Sequence, residues 1–294
     1  MREIPENISN YRVGLKLGQG GMGSVYRCSV AKNGDGTDEY AIKFLSTLDV
    51  SDSEAQQRFL RECETLEKLQ HPHVLQLLDH GISDGLPYLV SELCIDRYGR
   101  PFSLRLFEHE YQEGLEVRLL ERLFPQVLWA LAYIHQDGIV HRDIKPANVL
   151  VHENRFGQYS ARLADFGLAS VTIDPQYMRK DSWIGDRDEA HLVGRGFSGT
   201  YDYMSPEQVN GEAVDARSDV FSFGVMLYRA ATGYDRLTFR RPSQVRPGVP
   251  RWVDDIVLAS VAPDREDRCE NALELLFLLP DHLRPAGVQR SAAY

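Results

Sequence analysis

Cysteine is scarce in this chain. The four present (Cys28, Cys63, Cys94 and Cys269) are scattered through 294 residues, with neither the paired spacing of a zinc site nor the density of a disulfide framework. They are expected as free thiols of a reducing cytoplasm. Long apolar runs are missing too. None approaches the roughly 20 residues that a membrane-spanning helix needs, and the opening MREIPENISN has no apolar stretch of the kind a secretory leader requires. Positive charge is in deficit: the formal net charge is −10. That argues against nucleic acid as the principal partner, since phosphate backbones are bound by a basic surplus. There is no internal repeat and no low-complexity tract. What remains is an ordinary globular composition, 43% hydrophobic and 26% charged, long enough for one large domain or two lobes with a sizeable core.

The stretch that organises the chain runs from His141 to Gly167 and contains HRDIKPANVL followed by LADFG. Residues 141–148 have no hydrophobic period and include Pro146, so a loop is expected there rather than a helix. VLV (149–151) and ARL (161–163) read as two strands of a hairpin. Asp143 and Asn148 then lie just before one strand, and Asp165 just after the other. A single Asp near Gly or Pro is most often a turn residue. Several acidic and amide groups converging on one end of a rigid ribbon instead suit a phosphate and a hard cation.

Earlier in the chain, Tyr11–Leu17 alternates like a half-buried strand and leads into GQGGMGSVY, where Gly18, Gly20 and Gly23 stand at G-x-G-x-x-G spacing. Glycines there let backbone N–H groups approach phosphate oxygens. Dinucleotide-binding folds share this pattern but continue into a helix. SVYRCSV (24–30) is β-branched and aromatic, hence a second strand, and YAIKFL (40–45) is a third, carrying Ala41 and Lys43. Alternation does not decide which face of that strand is buried. A helix is expected from Ser53, with Ser53 and Gln56 as its capping box. Its apolar face is Phe59, Cys63, Leu66 and Leu69, with Glu62 on the margin of that face and Glu64 pointing away. His71 and His73 flank a proline in a loop and read as structural rather than as metal ligands. HPHVLQLLDHGISDG (71–85) is expected to give a loop and a strand, and LPYLVSEL (86–93) another strand ending near Cys94. In the second half, Leu120, Leu123, Val127, Leu131 and Ile134 trace one helix face that contains Pro125, where a kink is expected.

Together these residues resemble the eukaryotic-type (Hanks-type) serine/threonine protein kinases. HRDIKPANVL and GTYDYMSPEQ are most similar to the bacterial branch, and the likeness extends over about residues 11–279. It implies an α+β, bilobal kinase fold: an N-lobe over 1–94 after a leader at 1–10, a helical C-lobe over 95–279 and a fraying tail at 280–294. The implied reaction is transfer of the γ-phosphoryl group of ATP, with Mg²⁺ (Mn²⁺ as an alternative), to Ser or Thr hydroxyls of protein substrates. By resemblance, Gly18, Gly20, Gly23, Val25 and Ala41 border the nucleotide. Lys43 holds its α- and β-phosphates with Glu62 as ion-pair partner, and Glu92 to Cys94 form the adenine-facing hinge behind Ser91. Asp143 accepts the acceptor's proton, Lys145 contacts the transferring phosphate, and Asn148 with Asp165 holds the metal. Arg142 pairs with an activating phosphate, Thr200 packs on the catalytic groups, Asp219 braces the HRD loop, and Glu207 pairs with Arg268.

Three features depart from that pattern. The segment from Asp165 to Glu207 is long, and no Ser or Thr lies between Trp183 and Phe197; Ser198, Ser182 and Thr172 remain as candidates, and Ser198 or Thr200 is the expected phosphorylation site. Ser205 replaces the usual alanine before Pro206. Pro242, Pro247 and Pro250 leave little room for the helix that commonly lies between 234 and 250. Two other readings stand beside transfer to protein: a nucleotide-binding scaffold without activity, and a small-molecule phosphotransferase.

Overall fold

The computed structural model describes residues 4–20, 23–31, 37–46, 48, 51–110, 113–165, 201–238, 240–286 and 288. They form two compact units, the first ending at Pro101 and the second beginning at Phe102.

The first unit is an antiparallel sheet of six strands: β1 (Asn7–Ile8), β2 (Tyr11–Gly20), β3 (Gly23–Ala31), β4 (Thr37–Leu45), β5 (Leu77–Ser83) and β6 (Leu86–Glu92), in the order β1-β2-β3-β4-β6-β5. Among the described residues its one long helix is α1 (Ser53–Glu67). Both faces of β4 are covered. Ile42 and Phe44 pack with Tyr11, Cys28, Tyr88 and Val90 in one cluster. Leu45 packs with Leu89, Leu77 and the α1 residues Phe59 and Cys63 in the other. Lys43 has the parity of Leu45, so it stands on the α1 side. Each fully buried Phe or Leu of these clusters contributes roughly 1.5–3 kcal/mol. Burial also pushes the Cys28 and Cys63 thiols up to about 12, which leaves both as inert core groups.

Two local expectations are corrected here. The helix cap is Asp52, whose carboxylate accepts from the Glu54 and Ala55 N–H groups; the acidic residue one position earlier takes the role assigned to Ser53. Strand β2 is mostly solvent-facing, with Leu15 71% exposed, because only its Tyr11 end is covered by Ile8 and the sheet core.

In the second unit, α3 (Val117–Gln136) is the central helix, and its face from Leu119 to Ile134 is buried. The chain continues as one helix through Pro125, which is itself buried. Strands β7 (Val149–Glu153) and β8 (Tyr159–Leu163) form the expected hairpin. On the far side of β7, Phe102 O accepts from Val151 N and Ser103 bridges Leu150, so β7 is held along both edges. Helix α2 (Leu104–Glu110) follows at once. Helix α4 (Pro206–Val209) is a single turn, and α5 (Ala216–Thr232) is a buried helix ended by Gly233 at φ 75°.

The proline-rich segment holds little helix. It retains a one-turn helix, α6 (Pro242–Val245), because Pro242 occupies a first-turn position where no N–H is needed. Ser243 anchors it through N and Oγ to Asp254, at 2.9 and 2.5 Å, on α7 (Arg251–Ser260). Helix α8 (Ala272–Leu278) completes the unit. Where fraying was expected from position 280, a 3-10 turn at Asp281–Leu283 is instead tied back by Arg284 to Phe277 O and Asp281.

Asp52→Ala removes the acceptor for two N–H groups at the start of α1 and is expected to cost about 1 kcal/mol. Thermal unfolding measures it, and an unchanged midpoint would show the cap to be idle.

Candidate catalytic site

In the first unit, strand register brings the expected nucleotide-facing residues together. Val25 lies opposite Lys43, which lies opposite Leu89; one step along, Arg27, Ala41 and Ser91 are in line. Gly18 is opposite Val25. Val25, Ala41 and Lys43 therefore share one face of the sheet. Glu62 is half-buried on α1 and Glu64 exposed, in keeping with the helix register. The three glycines differ physically. Gly23 has φ +152°, and a Cβ there would come within 1.9 Å of the Phe44 carbonyl oxygen, whereas one at Gly18 or Gly20 meets nothing within 4 Å. Glycine at 23 thus answers to the packing of β3 on β4. At the end of β6, Glu92 is fastened to Gln76, just before β5: its N–H donates to Gln76 O and its Oε1 accepts from Gln76 N, both at 3.2 Å. Its carbonyl accepts from Ser91 Oγ at 3.3 Å. Cys94 is buried two residues on.

In the second unit the loop between α3 and β7 is tied tightly. Lys145 Nζ reaches Asp143 Oδ2 at 2.8 Å. Asn148 Nδ2 donates to both the carbonyl (2.8 Å) and Oδ2 (2.9 Å) of Asp143. With its amide nitrogen committed, Asn148 directs its oxygen elsewhere. The end of this loop is one 3-10 turn, Pro146–Asn148, a short exception to the helix-free expectation that Pro146 itself initiates. Asp165 lies two residues beyond β8 with φ 62°, and the preceding Ala164 is bonded to Asn148 O through N and to His141 Nε2 through O. Asp143, Lys145, Asn148 and the approach to Asp165 thus form one hydrogen-bonded group.

Asp219, 1% exposed on α5, holds this group from below. Its Oδ2 accepts from His141 N at 2.7 Å and its Oδ1 from Arg142 N at 2.8 Å. Arg142 sits at φ 68°, a region that costs a residue with a Cβ unless its surroundings enforce it. His135 completes the bracket. Its Nδ1 accepts from Ala272 N, so the proton is on Nε2, 3.0 Å from Asp219 Oδ2. Glu207 and Arg268 form a buried, two-pronged pair at 2.8 and 3.1 Å, joined by Ser218 Oγ at 2.6 Å. Burial raises the Glu207 carboxyl, but the bonds from Arg268, Ser218, its own backbone and Ser205 outweigh it and hold the group at about 2. Arg268 also lies over the Phe221 ring, 4.8 Å from its centroid.

The protein kinase domain model matches residues 11–247. The chain belongs to the protein kinase domain family. Among relatives, the serine/threonine-protein kinase pkn3 of Myxococcus xanthus is 34% identical over 225 residues, covering 76% of this chain and 38% of that protein. The serine/threonine-protein kinase PknB of Mycobacterium tuberculosis is 30% identical over 291 residues, covering 92% of this chain and 42% of the relative. The chain thus spans about two-fifths of the length of the curated relatives it matches. A solved Mycobacterium tuberculosis PknI kinase domain shares the fold, with TM-score 0.66 at 24% identity over 94% of this chain and 98% of that one. The α+β kinase fold is therefore this chain's fold.

Sequence reasoning missed His135 and Gln208, and it gave Ser205 no capping role. Ser205 is fully buried and caps α4, accepting from Gln208 N, while Gln208 Oε1 accepts from Ser205 N. The signal was available as S-P-E-Q: a capping box with proline at the first helical position. His135 had no such signal, because its partners lie 84 and 137 residues away. Ser198 and Thr200 lie outside the described residues.

Two outcomes follow. Gly23→Ala is expected to destabilise the first unit by at least about 1–3 kcal/mol, and Gly18→Ala to leave its melting unchanged; calorimetry of both separates packing from approach. The second concerns Glu207. Its folded-state carboxyl lies below the usual 4.5, so its contribution is complete above that value and is lost as pH falls toward 2. Stability of the wild type should drop through this window on the order of 3 kcal/mol more than that of Glu207→Gln, as measured by denaturant titration at a series of pH values.

Proposed function

We propose that this chain is the catalytic domain of a serine/threonine protein kinase, transferring the γ-phosphoryl group of Mg-ATP to Ser or Thr hydroxyls of proteins, itself among them. The observation that carries this reading is the group formed by Asp143, Lys145 and Asn148. A carboxylate receives an acceptor's proton, an ammonium beside it offsets phosphate charge, and Asn148, bonded to that carboxylate through Nδ2, adds an amide oxygen. Phosphoryl transfer needs little more than such positioning and charge neutralisation.

Roles follow residue by residue. Asp143 orients the acceptor hydroxyl and takes its proton. Lys145 contacts the transferring phosphate. Asn148 and Asp165 supply an amide oxygen and a carboxylate, the hard oxygen donors that suit magnesium, with manganese as an alternative. When bound, the metal neutralises charge on the phosphate oxygens. In the first unit, Lys43 takes the α- and β-phosphates with Glu62 as its partner, Val25 and Ala41 border the adenine, and the backbone of Glu92 and Cys94 recognises its edge. Gly18 and Gly20 admit the phosphates along β2. The partners are protein substrates, and among the described residues no helix is long and apolar enough to cross a membrane. The complete Lys43, Asp143, Asn148 and Asp165 set favours transfer over a scaffold without activity. The Glu207–Arg268 pair at the end of the substrate-side segment favours a protein acceptor over a small molecule.

Purified protein incubated with ATP and Mg²⁺ is expected to gain phosphate by intact mass. Asp143→Asn should gain none while its melting temperature still rises with Mg-ATP, and Lys43→Met should transfer far more slowly. Equal phosphate gain by wild type and Asp143→Asn would refute the assignment.

A further inference from the structure

The peptide that joins Arg142 to Asp143 is held from both sides. On one side the Asp143 N–H points at His141 Nδ1, at 3.3 Å. On the other, the Arg142 carbonyl accepts from Gln208 Nε2 at 2.8 Å. With Asp219 bonding the Arg142 N–H, both backbone polar groups of this left-handed residue and the N–H that follows it are engaged. Gln208 comes from α4, one residue after Glu207, whose pairing with Arg268 anchors that turn in the core.

The identity of the side chain matters. A capping box is satisfied by either Glu or Gln at its third helical position, since both present an oxygen to the cap's N–H. Here that oxygen faces an obligate donor, Ser205 N at 3.1 Å, and the other end of the side chain faces an obligate acceptor, the Arg142 carbonyl. Only an amide meets both demands. A glutamate would keep the cap and set a carboxylate against a carbonyl oxygen.

We infer that Gln208 is a positioning residue for transfer: by fixing the Arg142–Asp143 peptide plane, it aims the Asp143 carboxylate and couples that aim to the anchoring of α4. This rests on Asp143 serving as the base proposed above. It assigns Gln208 a task distinct from the fold-anchoring role of Glu207, and distinct from the cap supplied by Ser205, whose own N–H would still hold Gln208 if its hydroxyl were removed.

The test compares Gln208→Glu, Ser205→Ala and Asp143→Asn with the wild type. Gln208→Glu is expected to lower kcat about tenfold at neutral pH with little change in KM for ATP. The deficit relative to wild type should shrink on acidification, because the introduced carboxyl, once protonated, regains a donor. Ser205→Ala should melt earlier and keep its kcat. Wild-type turnover by Gln208→Glu, a deficit indifferent to pH, or a parallel kcat loss in Ser205→Ala would each overturn the inference. Should Gln208→Glu not fold, Gln208→Met replaces it, with the same neutral-pH deficit expected and no recovery in acid. If Asp143→Asn transfers as well as wild type, the kinase reading fails on its own. Hydrogen exchange then judges the contact: faster exchange of the 141–145 amides in Gln208→Glu supports the clamp, and unchanged protection overturns it.

Discussion

The second unit depends on one buried carboxylate. Asp219 sits in the core with almost no solvent exposure, where an unpaired charge would cost far more than a domain can spare. It is tolerable because three donors converge on it: the consecutive backbone N–H groups of His141 and Arg142 and the ring of His135. Satisfying Asp219 and holding Arg142 in its unfavourable backbone region are therefore the same event. The loop gains a defined shape, and Asp143, the next residue, gains a defined direction. A core helix dictates the geometry of an otherwise irregular segment, and α3 and α8 join in through His135, which bonds to Asp219 on one side and to the first turn of α8 on the other.

The same logic recurs at α4. The turn is too short to be stable alone, yet it is pinned by the Glu207–Arg268 pair, capped by Ser205 and tied to the 141–148 loop by Gln208. Removing either member of the buried pair would leave an uncompensated charge, so the turn is either fully docked or costly. That makes α4 a place where the segment ending at Glu207 and the loop that carries Asp143 share contacts. In the first unit the comparable constraint is the double coverage of β4, which places Lys43 on the α1 face while its neighbours Ile42 and Phe44 fill the opposite core.

Much of this was legible in the residues. The hairpin of β7 and β8, the strands that carry Gly23 and Lys43, the half-buried position of Glu62 and the buried face of α3 all follow from local periodicity. Other features were not. Alternation along β4 could not choose a face because both faces are buried. The cap of α1 was assigned one residue late because Asp52 and Ser53 are both good caps, and only the backbone decides which of them precedes the first helical turn. The one-turn helix α6 was hidden by prolines that in fact begin it. Leu15 reads as core but lies where the sheet extends past its covering elements.

The order and spacing of chemical groups were determined by the sequence alone: a glycine-rich turn between strands, a strand lysine, a loop with Asp143, Lys145 and Asn148, and a second acid after a hairpin. Those are local properties, set by which residues adjoin which strand or turn. What only the tertiary structure decided is who satisfies whom. The donors to Asp219, the partner of Glu207 and the two ends of the Gln208 amide come from segments tens of residues apart, and a buried polar group takes the partner that packing brings within about 3 Å. Proximity of that kind is created by the folded core, which is why it has no trace in local pattern.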